Sequence, residues 1–397
     1  MDCPHKHNLP ADGTPLNPSP TLDHWRESSA IAPLSYPDGH DGWIALRQEI
    51  SQEILMDTRF SQQPHRFPGL APRLHLEDFV DEQDRLAITT ADLLALDGDQ
   101  HRKCRKTVTS KFSFKAVNSY ADAVSALVSR QLTHLLEQPQ PVDLTKHFSE
   151  PISIANHAFV LGIPDAMVKE FERTFVGSVS REERINFLRE VYQSKLVNPG
   201  DDVISHLIKS ELTQAEVEGL IYVFFTSGRD SVAYMISTSM IALLQNPDQL
   251  AKLRNNLPVP QEAVEELMRY CAMFVTLFPR TALEDLEIAG QQISAGQSIS
   301  VSPVAVNRDP QIWDEPNCLK LDREIKAHLS FGHGIHGCLG QQLARLVIQE
   351  SLTQLLKAIN SVELVSAEQL EPMEFAHPVA TYKVGKVILN FKTQKTI

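Results

Sequence analysis

Within Leu329–Gly340, LSFGHGIHGCLG, one cysteine, Cys338, stands among four glycines and two histidines. Thiolates and imidazoles are the side chains that hold borderline metals such as zinc. His328, His333, His336 and Cys338 would suffice in number for zinc, but all four come from one short stretch without the paired spacing of a zinc module. The glycines point elsewhere, to a backbone that passes close to something flat or bulky. CLGQQLARL follows with helical periodicity, so Cys338 lies near a helix amino terminus, where backbone N–H groups favour the thiolate.

A second set of reactive groups is Ser227-Gly228-Arg229-Asp230-Ser231. The apolar pattern around it predicts one helix from Thr213 to Gln245, roughly 30 residues and ~45 Å long, running through the interior. Glycine in mid-helix costs ~1 kcal/mol relative to alanine. A helix end at Gly228 is one reading. Because the pattern resumes at once in VAYMISTSMIALL, a local distortion around a ligand fits better. Val223, Thr226 and Ser227 share a face with Ser231. The hydroxyls of Thr226 and Ser227 either orient a polar substrate group or bond back to the i−4 carbonyls.

The elements that must position these groups are mostly helical. WIALRQEISQEILMD, SYADAVSALVSRQLTHLLE, SREERINFLREVYQSKLV, PQEAVEELMRYCAM and CLGQQLARLVIQESLTQLLKAI all place apolar residues at i, i+3, i+4. LEIAGQQISAGQSISVS and YKVGKVILNF read as strands. The expected fold is mainly α with minor antiparallel β. No repeat or linker divides the chain, so residues 1–397 are expected to form a single domain behind a polar, proline-rich tail at 1–20. No apolar run reaches 18 residues, and five scattered cysteines suit a reducing compartment, which points to a cytoplasmic protein without a membrane span. The net charge of −13 argues against nucleic acid and anionic membrane as partners. HRKCRKTVTSKFSFK, with six basic side chains and no acid, is a local exception.

Phe331, Gly334, Cys338 and Gly340 fit F-x-x-G-x-x-x-C-x-G at every position, and here the sequence resembles the cytochrome P450 superfamily, the heme-thiolate monooxygenases. Glu266 and Arg269 in AVEELMRY match that family's E-x-x-R about seventy residues before the cysteine, followed by FPRTA, VNRDP and LDRE. The resemblance implies the P450 fold, with heme b between the long central helix and the cysteine loop. It makes Cys338 the iron ligand, with Phe331 packed beside the sulfur and Gly340 against the porphyrin. His101, Arg105, Arg280, His328 and His336 are its expected partners for the propionates, while His333 is a bystander. The resemblance also implies a buried ion pair of Glu266 and Arg269 that Arg323 joins. Asp230 and Ser231 match the acid–alcohol pair that relays protons, with serine where threonine is usual. Val275, Thr276, Leu277 and Ala380 match substrate-contact segments. The Phe171–Asp201 lid looks shorter than usual.

The function implied is hydroxylation or epoxidation of a small hydrophobic molecule, in natural-product biosynthesis for example. No electron-carrier motif occurs in the chain, so a ferredoxin or flavodoxin with an NAD(P)H reductase must supply electrons, docking on the basic segment. Two other readings stand beside it: oxidative coupling or cyclisation without oxygen insertion, and a non-catalytic heme- or metal-binding protein.

Overall fold

A computed structural model describes residues 7–37, 39–63, 79–371 and 379–393. Eight of its helices build the site. They are α1 (Gly98–Thr109), α2 (Glu150–Leu161), α3 (Val168–Val176), α4 (Arg181–Val197), α5 (Gln214–Thr226), α6 (Arg229–Gln245), α7 (Gln261–Tyr270) and α8 (Gln341–Ala358). Their starts are written in the sequence. Ser180 with Glu183 and Thr213 with Glu216 form capping boxes at α4 and α5, each hydroxyl accepting from an orphan amide while the carboxylate reaches back.

The expected central helix is two helices. Ser227 is extended and Gly228 has φ +91°, a left-handed conformation that a side chain disfavours, so α5 ends and α6 begins anew. Every residue of α6 from Ala233 to Leu243 is buried, as the unbroken apolar pattern requires. The Phe171–Asp201 segment, expected to form a lid, holds the end of α3 and all of α4.

The β component is small. Strands β1 (Ile31–Ser35), β2 (Asp41–Ala45), β3 (Phe60–Ser61), β4 (Phe274–Thr276), β5 (Arg280–Ala282), β6 (Leu286–Ile288), β7 (Gln291–Ile293), β8 (Ser298–Val301), β9 (Ile359–Ala367), β10 (Ala380–Thr381) and β11 (Val387–Thr393) form short ladders. The largest sheet has the order β1-β2-β8-β5-β3 and is antiparallel except between β2 and β8, where Trp43 lies opposite Ile299. Trp43–Ala45, which helical periodicity claimed, therefore belongs to a strand. Ala289 and Gly290, both with positive φ, make the two-residue turn of the β6–β7 hairpin.

The amino-terminal stretch is no loose tail over its described part. Leu9 and Leu16 are buried in the main core cluster, and Arg308 Nη2 donates to the Leu16 carbonyl at 3.0 Å. Residues 1–6 lie outside the described residues. Arg26 Nη1, in the helix Pro20–Ser28, similarly donates to Ala305 O at 2.7 Å, which ties that helix to the segment ahead of the cysteine loop. The same apolar cluster continues to Phe391.

Candidate active site

Glu266 and Arg269, three residues apart on α7, form a fully buried pair with Nε–Oε2 at 2.7 Å. Arg323 joins through Nε at 3.1 Å, and the amide of Lys320 donates to Glu266 Oε1 at 2.9 Å. Arg269 also donates to the carbonyls of Asn307, Pro316 and Cys318. Every charge is thus hydrogen-bonded, the condition under which a buried pair is tolerated. The anchor extends to the cysteine loop through Asn307, whose Oδ1 accepts from Leu329 N and whose Nδ2 donates to Ser330 Oγ, each at 2.8 Å. Only the VNRDP motif hinted at Asn307.

The loop itself is shaped by glycine. Gly332 and Gly334 have φ +66° and +72°. A Cβ on Gly334 would lie 2.8 Å from Met56 Sδ and 2.9 Å from Leu55 O, so this glycine admits a neighbouring helix end rather than a ligand. Gly340 would meet nothing within 4 Å and borders a cavity of about 540 Å³. Cys338, two residues ahead of the α8 N-cap, donates its amide to Phe331 O at 2.8 Å. Cys338 is accessible from the cavity that it lines. Burial pushes the thiol up from its ordinary value, against a hydrogen bond from the Gly340 amide and the charges of Arg105 and Arg345.

Basic groups gather at this cavity. Arg105, Arg280 and His336 line it, and the buried His101 ring lies 4.2 Å from that of His336. Neither ring nitrogen of His101 has a hydrogen-bond partner among the described residues. Burial, then the charges of His336 and Arg105, push His101 down to about 4. Asp97 Oδ1 is 3.5 Å from His336 Nε2 and the same carboxylate accepts from Ser61, a role the sequence reading missed. A buried imidazole without a hydrogen-bond partner among the described residues, beside Arg105, Arg280 and His336 at the edge of an apolar cavity, fits a ligand carrying carboxylates. Among the described residues no set of three or more His, Cys, Asp or Glu side chains converges to hold a metal, so the zinc set does not assemble.

His328 is placed differently from expectation. It does not line the cavity; Nε2 bonds Glu265 Oε2 at 3.1 Å, and Arg345 bonds the same carboxylate while lying 4.6 Å over the Phe331 ring. Its job is to brace the loop. His333 borders the cavity.

Opposite Cys338 the cavity is walled by the break between α5 and α6. Val223, Thr226, Ser227, Asp230 and Ser231 all line it. Thr226 Oγ1 bonds back to Tyr222 O at 3.0 Å, so its hydroxyl serves the helix. Asp230 pairs with Arg229 Nε at 2.8 Å, and Ser231 Oγ lies 3.4 Å from Gly228 O. Of the expected substrate segments only Leu277 lines the cavity, joined by Phe274 and Phe278. Val275, Thr276 and Ala380 are buried in the β4–β10 ladder, where Thr276 Oγ1 accepts from Ala380 N at 2.9 Å. Alternation turns Val275 away from the face of Phe274, whereas Thr276, two residues on from Phe274, is engaged by the Ala380 amide, a partner the sequence alone did not supply.

Comparison with known proteins agrees with this architecture. The family model described as Cytochrome P450 matches residues 153–384, more than half of the chain. Cytochrome P450 105C1 of a Streptomyces species is 28% identical over 94% of this chain and 95% of its own. Vitamin D3 dihydroxylase of Streptomyces griseolus is 30% identical, covering 84% of each. The crystal structure of cytochrome P450 MoxA from Nonomuraea recticatena, 27% identical, superposes with a TM-score of 0.84 over 98% of this chain and 99% of that one. Fold, cavity and sequence agree: this chain belongs to the cytochrome P450 family, a P450 monooxygenase of the bacterial type whose cofactor is heme b.

Proposed function

We propose that Cys338 would hold the heme iron through its sulfur and that the chain inserts oxygen into a small hydrophobic organic substrate by hydroxylation or epoxidation. The observation that carries this reading is the Cys338 sulfur opening onto a largely apolar cavity beside the basic cluster of His101, Arg105, Arg280 and His336, in which neither His101 ring nitrogen has a hydrogen-bond partner among the described residues. These four would face the propionates, whose carboxylates would give Arg105 and Arg280 counter-charges and the two imidazoles hydrogen-bond acceptors. Heme, when bound through a thiolate, supplies dioxygen activation.

The chain's own residues supply the rest. The loop braced by Glu265, His328 and Arg345 holds the sulfur in place, and Phe331 shields it. The apolar wall of Val223, Leu277 and Phe278 excludes water from the substrate. Asp230 and Ser231 hold and pass protons at the carboxylate and Oγ, with Arg229 orienting the carboxylate. Electrons come from outside, from a ferredoxin or flavodoxin with its NAD(P)H reductase, in a cytoplasmic setting. No described helix is long and apolar enough to cross a membrane. The core cluster running from Leu9 to Phe391 supports one domain.

The first test is the spectrum of reduced, carbon monoxide-treated protein. The wild type should show a strongly red-shifted Soret band and Cys338→Ala should lack it; an unchanged band in the variant would remove Cys338 as ligand. Oxidative coupling without oxygen insertion remains the second reading, favoured by serine at 231 and its weak contact to Gly228 O. Mass spectrometry of product formed under labelled dioxygen separates the two, and the dihydroxylase relative favours label incorporation.

A further inference from the structure

Where α5 ends, the carbonyls of its last turn lose the amide donors that a continuing helix would supply. In a continuous helix the Phe224 carbonyl would accept from the amide of Gly228. With Gly228 at φ +91° that bond is not made. Among the described residues the group bonded to Phe224 O is a side chain, His157 Nε2, at 2.6 Å. A carbonyl only accepts, so Nε2 carries the hydrogen.

His157 belongs to α2, and the residue one turn before it on the same face is Ser153, whose hydroxyl donates to the carbonyl of Arg229. Helix α2 therefore grips both sides of the break, the last turn of α5 and the first residue of α6. The His157 ring edge also faces the break, 3.5 Å from where a Cβ on Gly228 would stand. One face of the ring stacks on Phe171 of α3 at 5.8 Å and 18°. Burial holds this imidazole at about 4, so it is neutral and keeps a single N–H to give.

We propose that His157 is a positioning residue whose Nε2–H stands in for the missing backbone amide at Phe224 and holds the two halves of the central helix in the offset that turns Asp230 and Ser231 to the cavity. This rests on the reading of Asp230 and Ser231 as the proton-handling pair.

The test compares heme-loaded His157→Phe, which keeps a ring and loses the donor, with His157→Gln, which restores an N–H. His157→Met is added as a near-isostere of Gln without the donor. Two quantities are read: amide hydrogen exchange over residues 222–231, and the share of NADH electrons released as hydrogen peroxide with a surrogate ferredoxin system. Loss of the bond should speed exchange about tenfold in the Phe and Met variants and raise the peroxide share, with Gln close to wild type in both. Wild-type exchange in the Phe variant, or Gln exchanging as fast as Met, overturns the proposal. Should the Phe variant not fold, the Gln–Met comparison decides alone. Asp230→Asn is measured alongside. If it leaves the peroxide share unmoved, the proton-handling reading fails, while the exchange data still decide what holds the break.

Discussion

Glu265 carries opposing demands. Burial would raise its carboxyl, but hydrogen bonds from His328 and Arg345 outweigh burial and hold it at about 2. Because this lies below the ordinary 4.5, the ionised carboxylate stabilises the fold above about pH 4.5, and that contribution is lost as pH falls toward 2. In urea titrations the wild type should therefore lose stability more steeply between pH 5 and 3 than Glu265→Gln, and the two curves should converge at the acid end. Parallel curves would mean that the Glu265 carboxylate does not hold the loop. This brace was invisible in the sequence because Glu265 sits one residue before the recognisable Glu266, and nothing local says which of two adjacent acids faces which arginine. Cys338, Phe331 and Gly340 were legible because their spacing is contiguous. Thr276 and Ala380 were not, because a strand partner a hundred residues away decides which way they point.

Helix α7 and the residues it gathers form the support on which the cysteine loop rests. Arg269→Ala would leave Glu266 buried with Arg323 as its remaining cation, and Glu266→Ala would strand two guanidinium groups; each should cost ~3–5 kcal/mol. Denaturant midpoints and the heme-to-protein absorbance ratio check this, with both expected to fall together. Helix existence was legible for α4, α7 and α8, since 3.6-residue periodicity and capping boxes are local signals, but not for α2, whose stretch was not singled out. Two boundaries were not. The Trp43 strand is fixed by its distant partner Ile299, and the break at Gly228 is stabilised by a histidine from another helix. Periodicity continues across such a break because both halves are buried all round.

At the scale of the molecule the contrast is between an acidic whole and one basic face. That face is less basic than its sequence suggests: Arg102 pairs with Asp99, Lys103 with Glu216 and Lys111 with Asp201. Lys106 and Lys115 are exposed and make no ion pair among the described residues. Lys106→Glu and Lys115→Glu should each slow reduction by an acidic ferredoxin severalfold at low salt, a difference that shrinks as salt rises. Stopped-flow reduction of the heme checks it, and a salt-independent deficit would mean the carrier docks elsewhere. The contacts Arg26–Ala305 and Leu16–Arg308, together with the β2–β8 pairing, set a clock on biosynthesis. A ribosome delivers the first forty-five residues long before their partners, so β1 and β2 must wait as an incomplete edge until residue 308 has emerged. Cys338 follows only thirty residues later. With Cys338 proposed as the iron ligand, heme would be acquired only at the end of translation, and a prematurely terminated chain ending before residue 298 would expose an unpaired β2 edge, a target for chaperones and proteases.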